Sequence, residues 1–543
     1  MCIWVVSLVW PIGRSHAQTL IDLRIEGPDA VLEDAMTDYV AIATFSDGDE
    51  FEVTLFCDWS VEPDDYATID QSGELLTQDV SDDQQVTLQA VFTWDDVTET
   101  ATLDVTIVDI TEDEGADPWP EDQRTRNRLG RTSSIGPQTP RIAWSIEINS
   151  GSADVYIGST IMAADGRLFV PLSNGSGIDR GVLCVDTVSR RILWRFLIDV
   201  GAVLYPPSLY QQKLTFGSLD TLYCIDTATG QEIWSETGLL NPGHGQVVDD
   251  SLPGGTVYFL TSDGILHARA VEDGSEVWTV STCDSPHTRP SLDLLGRVIV
   301  GCNGQAVAQA HDIDDGSVLW TGPPDQNFGV LPVENGRVYA ASAGSGELYC
   351  LDAFTGDVIW IADGVASSQG SLALGHDGTI YVAEGTSAGD LVAVSADGDI
   401  LWEYEADQVI YEPPIVTGDG TIYFCGLFGE PSTARVHAVR PDGTALWVHE
   451  MPSFVYASPM LAPDGTLYVL CGDHRLYAFK DPAKGDVSLN DIIDGRDIRF
   501  FIQVLFGGDD DPIRTFAADM NSDGVVDEAD VPLFVNALLA STI

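Results

Sequence analysis

Between residues 141 and about 481, runs of four to six β-branched and aromatic residues alternate with turn residues, and no stretch shows helical spacing. One large aromatic marks each unit. Trp144, Trp194, Trp234, Trp278, Trp320, Trp360, Trp402 and Trp447 recur at intervals of 40 to 50 residues. The same text precedes most of them, most clearly LYCIDTATGQEIW at 222–234 and LYCLDAFTGDVIW at 348–360. Asp-Gly and Asn-Gly pairs (Asp165-Gly166, Asp263-Gly264, Asn335-Gly336, Asp377-Gly378, Asp419-Gly420, Asp464-Gly465) supply the positive φ that tight hairpins need. Four strands and one aromatic in roughly 42 residues describe a propeller blade, with the Trp of the outer strand docking between neighbours. The ends interlock on paper. The last copy, DGTLYVLCGDHRLYAF, has no Trp strand after it, and the first Trp strand, 141–146, has no blade before it. Eight blades closed by that strand leave no free sheet edge.

The flanks follow other rhythms. Residues 18–112 alternate apolar and polar positions in short runs, as in Tyr39–Phe45 and Thr102–Val108, which predicts a small β-sandwich. Residues 113–140 have no periodicity and are rich in charge, Pro, Ser and Gly, so a linker is expected. Residues 485–541 hold two acidic segments, each followed by an amphipathic helical pattern. In the second, Asp519, Asn521, Asp523, the carbonyl of Val525 and Asp530 stand at positions 1, 3, 5, 7 and 12 around Gly524, the spacing of a calcium loop. The first fits the same frame with Asp486, Ser488, Asn490, Ile492 and Asp497. It has Asp491 where Gly is expected, and Asp tolerates the left-handed conformation better than most residues. The predicted fold is therefore mainly β: a sandwich, an eight-bladed propeller over 141–482, and a small helical calcium-loop module.

Three resemblances follow from these texts. The xD-x-x-T-G-x-x-x-W copies resemble the pyrroloquinoline quinone repeat family, which includes quinoprotein alcohol dehydrogenases and the BamB-like propeller of outer-membrane assembly. The segments ATFSDGDEFEVT and CDWSVEPDDYATIDQSGEL, with Trp59 on a central strand and a Ser72-Gly73 turn, resemble the bacterial immunoglobulin-like group 2 domain, mostly a spacer or adhesive unit. Asp530 in place of the Glu of an EF-hand, followed by DVPLFVNALL, resembles a dockerin repeat. That last resemblance implies bound calcium and docking to a cohesin-like domain.

Composition narrows the function. The net charge is −60, with only three lysines (Lys213, Lys480 and Lys484). Such a surface repels nucleic acid and anionic lipid and favours divalent cations. The N-terminal run MCIWVVSLVW ahead of Ser15-His16-Ala17 reads as a clipped or truncated secretion signal over 1–17. It is too short to span a bilayer, which takes about 20 apolar residues. Secretion, or residence at the surface or in the periplasm of a bacterium, is expected. Cys184, Cys224 and Cys350 recur at one strand position and read as core residues.

Catalytic constellations are not found. Quinone chemistry calls for a clamp at the channel mouth, and the vicinal Cys pair usual in the quinoproteins is missing, so calcium is the cofactor expected and the quinone is not. The G-x-S-x-G match at Gly385–Gly389 lies between two strands, not at a strand-to-helix elbow. One surface stands out. The innermost strands align on Pro207, Pro290, Pro414 and Pro459, and Tyr205, His287, Arg289, Tyr411, Glu412 and Tyr456 lie just before them at the expected mouth, where a peptide or glycan could bind. The leading expectation is a secreted, non-enzymatic binding or scaffold protein. A quinoprotein dehydrogenase and an outer-membrane assembly factor are the alternatives.

Overall fold

The computed structural model describes residues 19–108 and 129–541, except for short internal stretches such as 149–154, 175–179, 199–206, 283–288, 326–330, 366–370, 385–388 and 428–433. The expected signal over 1–17, residues 113–128 and most of the G-x-S-x-G match lie outside the described residues. Two compact units divide the chain, 1–112 and 113–543. In the first, three small sheets enclose one core. Trp59 is buried there and donates its indole N–H to the Thr54 carbonyl at 3.0 Å. The Ser72-Gly73 turn forms as expected: Gly73 has φ +83°, and the Tyr39 carbonyl would sit 2.3 Å from a Cβ at that position.

The second unit is dominated by eight antiparallel sheets, the blades. Blade 1 spans 155–197, blade 2 208–237, blade 3 246–281, blade 4 291–321, blade 5 333–362, blade 6 371–405 and blade 7 415–450. Blade 8 takes three strands from 460–479 and its outer strand from Ile142–Glu147, which pairs with Arg475–Phe479. The strand from the start of the repeat thus closes the ring, as the mismatched ends predicted. Pro207, Pro290, Pro414 and Pro459 are buried immediately before the first strands of blades 2, 4, 7 and 8.

One joint repeats between blades. Each outer-strand Trp donates its indole N–H to a carbonyl in the turn before the outer strand of the next blade. The pairs are Trp194–Thr227, Trp234–Val271, Trp278–Ile313, Trp320–Ala353, Trp360–Ala396 and Trp402–Pro441, all at 2.7–3.0 Å. The ring of each Trp lies on the turn glycine of that next blade. A Cβ on Gly230, Gly274, Gly316, Gly356, Gly398 or Gly443 would fall 2.5–2.9 Å from it. The same glycines hold φ between +68° and +91°, so two constraints require Gly at one position. A second donor from the same blade often joins the Trp on the carbonyl: Arg167 on Thr227, Arg297 on Ala353, Arg337 on Ala396 and Tyr258 on Ile313.

The seam of the ring modifies the joint. Arg190 replaces the glycine in blade 1, keeps the left-handed φ of +57°, and sets its guanidinium 5.7 Å over Trp144 of blade 8. At blade 7, Trp447 and Tyr423 both donate to the carbonyl of Pro137, at 2.8 and 3.0 Å. Pro137 belongs to the expected linker, and here the structure corrects the sequence reading. Residues 129–140 form a strap across blades 5 to 8. Backbone bonds join Leu129 to Leu374, Thr132 to Val416 and Ser134 to Gly418, and Arg131 pairs with Glu334 at 2.5 Å. Asp481 accepts from the amides of Gln138 and Thr139 at 2.8 and 2.9 Å. The strap lacks periodicity because its polar backbone is satisfied by isolated contacts with the inner strands and turns of successive blades, not by one continuous partner strand.

The described thiols confirm the core reading: Cys184, Cys224 and Cys350 are buried, and burial pushes each up to about 12. Cys302 is disulfide-bonded. Two buried histidines occupy the position that holds Tyr223, Tyr349 and Tyr477 in other blades, one residue before the partner of the Trp. His267 stacks on Phe259 at 4.8 Å and His437 on Phe424 at 4.7 Å. Burial pushes them down to about 4 and about 3.

Two predictions follow from these contacts. Gly356 and Gly364 share a positive φ, +75° and +80°, but only Gly356 faces a Trp. Gly356→Ala should therefore lower the urea-unfolding free energy by about 1–3 kcal/mol more than Gly364→Ala; equal losses would show that strain alone, not the Trp joint, requires the glycine. A histidine kept neutral in the fold contributes fully above its unfolded value near 6.5 and loses that contribution as pH falls toward 4. The double variant His267→Tyr, His437→Tyr should flatten the stability curve between pH 6.5 and 5, where the wild type already declines.

Candidate functional site

The C-terminal module is built on two acidic loops and three helices, α1 (Asp497–Leu505), α2 (Pro512–Ala518) and α3 (Asp530–Ser541). The sequence reading found α1 and α3 but not α2. That short helix is signalled by Asp511, which caps the amides of Ile513 and Arg514, and by Pro512 in the first turn. Val487, Phe501, Val504, Ala517, Ala518 and Phe534 form its small core, with Phe501 and Phe534 stacked at 4.0 Å.

Both loops fold in the same way. Asp519 accepts from the amides of Asp523 and Gly524 at 3.2 and 3.1 Å. Asp486, at the matching place, accepts from Asn490 and Asp491 at 3.0 and 2.8 Å. Asp530 takes the amides of Met520, Asn521 and Asp527 at 2.7–3.1 Å. Asp497 takes those of Ser488 and Asp494, both at 2.7 Å. Position 5 repeats as well: Asp523 accepts from Val525 and Asn490 from Ile492, both at 2.9 Å. Asp491 adopts φ +63° where Gly524 has +86°, so the first loop keeps its frame without glycine. Asp486, Asp497, Asp519 and Asp530 are all buried.

This donor set fits a hard divalent cation. The oxygens are carboxylate, amide, hydroxyl and carbonyl. Ser488 Oγ, at position 3 of the first loop, is buried and has no hydrogen-bond partner. Among the described residues, no three His, Cys, Asp or Glu side chains are drawn together tightly enough to hold a metal. The carboxylates instead fold back on the loop amides, and Asp523 leans on Asn521 Nδ2 at 2.8 Å. The sequence reading missed position 9. Asp527 caps Ala529 at 2.7 Å, and Asp494 is joined to the Arg496 guanidinium at 2.6 Å, which neutralises one acid of the first loop.

At the expected channel mouth, Tyr205, His287, Tyr411 and Tyr456 lie outside the described residues. Arg289 and Glu412 do come together. They precede the first strands of blades 4 and 7, which are not neighbours, and meet in an ion pair at 2.8 Å. The pair links two blades that are three apart in the ring.

Two family models match the chain. The model described as "Outer membrane protein assembly factor BamB" matches residues 106–308, 303–372 and 361–497, and the dockerin type I domain model matches residues 484–539. Curated relatives include the outer membrane protein assembly factor BamB of Yersinia pestis, 22% identical over 320 residues, covering 52% of this chain and 77% of that protein. The corresponding protein of Moranella endobia is 25% identical over 321 residues, covering 52% and 79%. Among solved structures, a europium-containing methanol dehydrogenase aligns at 15% identity with a TM-score of 0.52, over 66% of this chain and 89% of that one. Quinohemoprotein alcohol dehydrogenase from Comamonas testosteroni aligns at 14% with a TM-score of 0.53, over 67% and 80%. At these identities the structural likeness speaks for the fold alone. By its repeats from 106 to 497, the chain belongs to the family of the outer membrane protein assembly factor BamB, and its residues 484–539 form a dockerin type I domain.

Proposed function

We propose that this chain is an exported, non-enzymatic binding protein that docks through its dockerin domain in a calcium-dependent way. The observation that carries this reading is the shared frame of the two acidic loops, where three ligand positions recur in each loop with matching backbone contacts on Asp486, Asn490, Asp497, Asp519, Asp523 and Asp530. Asp519, Asn521, Asp523, the Val525 carbonyl and Asp530 would hold one ion. Asp486, Ser488, Asn490, the Ile492 carbonyl and Asp497 would hold the other. Bound calcium supplies positive charge that lets buried carboxylates converge. The partner is a cohesin-like domain or another exported protein, and the propeller presents its mouth and loops to a protein or glycan. For the N-terminal sandwich we propose an immunoglobulin-like spacer role.

Export agrees with the disulfide at Cys302, since such bonds persist in oxidising compartments. No helix among the described residues is long and apolar enough to cross a membrane. A second reading, a role in outer-membrane assembly, is favoured by the family match over 106–497. The two readings place the partner differently: on the dockerin domain in the first, on the propeller in the second. The likeness to alcohol dehydrogenases supports the fold and carries no further weight.

Immobilised full-length protein should capture a cohesin domain in millimolar calcium and release it in excess EDTA, and Asp530→Ala with Asp497→Ala should abolish capture. Capture that persists in EDTA would overturn calcium-dependent docking. Recovery of unfolded β-barrel proteins by the variant lacking 484–543 would favour the assembly reading.

A further inference from the structure

We propose that the first acidic loop also fastens the propeller, so that calcium loading of this loop and closure of the eight-bladed ring are coupled through Asp491 and Arg141. The proposal rests on the calcium reading above. Position 6 of such a loop takes the left-handed conformation, and glycine suits it: at Gly524 a Cβ would have nothing within 4 Å. The first loop accepts a residue less suited to that conformation, Asp491 at φ +63°. Its side chain then has a use that glycine could not serve. Asp491 Oδ1 lies 2.6 Å from Nη2 of Arg141.

Asp491 is therefore held at two ends. Its amide donates to Asp486 Oδ2 at 2.8 Å, and Asp486 is the position-1 ligand. Its carboxylate reaches the residue that leads into the closing strand Ile142–Glu147. Arg141 is itself well placed to pass on that restraint. Its carbonyl accepts from the Lys480 amide at 3.1 Å, and its guanidinium also donates to the Lys480 carbonyl at 3.4 Å. The Arg141 side chain is only 11% exposed, although that of Asp491 is 60% exposed. Screening is thus partial, and low ionic strength is the condition in which the link acts most strongly.

Asp481, which ties Gln138 and Thr139 of the strap, stands only a few residues before Asp486. The strap and the entry to the closing strand consequently both bond to the short stretch 480–491 that leads into the loop. An ion that orders residues 486–497 orders Asp491 and, through it, Arg141. Coupling of this kind is reciprocal: a closed ring presents an ordered Asp491 and raises the affinity of the loop for calcium.

Hydrogen exchange of the full-length protein tests the link, read on amides of Ile142–Glu147 and Arg475–Phe479 at low salt, with and without calcium. Calorimetry on the same samples counts the ions taken up. Calcium should slow exchange of the closing strand by about fivefold or more in the wild type. Asp491→Gly should take up calcium in both loops yet lose the slowing, and Arg141→Gln should lose it too. Slowing that survives in Asp491→Gly, or two ions bound by the wild type with no slowing, would overturn the coupling while leaving calcium binding intact. No uptake by the first loop would remove the proposal together with the reading beneath it.

Discussion

The contact on which the rest of the structure depends is the indole N–H of each outer-strand Trp, set over a glycine and bonded to a carbonyl of the following blade. A four-stranded sheet of this size buries too little surface to stand alone, so blades are stable only as neighbours. The Trp supplies a large apolar face for the inter-blade core and satisfies its own polar edge in the same step. The turn carbonyl, which would otherwise be lost to the interface, gains one or two donors. Glycine is required twice over, by φ and by the ring above it, and so the motif text around it recurs.

Closing the ring makes the joint depend on distant parts of the chain. The carbonyl that receives Trp447 comes from Pro137, about 310 residues earlier in the chain, and the strand that completes blade 8 follows directly. The strap bonds to blades 5 to 8 before reaching that point. The seam is crossed by a β-ladder and a shared acceptor. The dockerin domain begins at the same seam, and its first loop meets the propeller at Arg141.

The family and the appended domain pull the functional question in different directions. The propeller's family membership gives its fold, and its function must be argued from the site. The dockerin loops offer the better defined geometry, because positions 1, 5 and 12 of the expected frame make the same backbone contacts in both. On the propeller, the described residues of the expected mouth are Arg289 and Glu412, joined as an ion pair.

Much of this was legible in the residues alone. The eight Trp positions, the Asp-Gly turns and the mismatched ends determined the number of blades and the closing strand, because each rests on local spacing that a strand or turn must obey. The matching backbone frames of the two acidic loops were legible for the same reason, down to the left-handed Asp491. Only the tertiary structure decided the rest. Residues 129–140 looked like a linker because their partners are scattered strand ends and turns of different blades, contacts that leave no period in a sequence. Arg289 and Glu412 carry no mark of their union, since 123 residues separate them and only the curvature of the ring brings them together. Asp491 read as a departure from the calcium-loop pattern; its bond to Arg141, across 350 residues, exists because the loop follows the last strand of blade 8, beside which the closing strand lies.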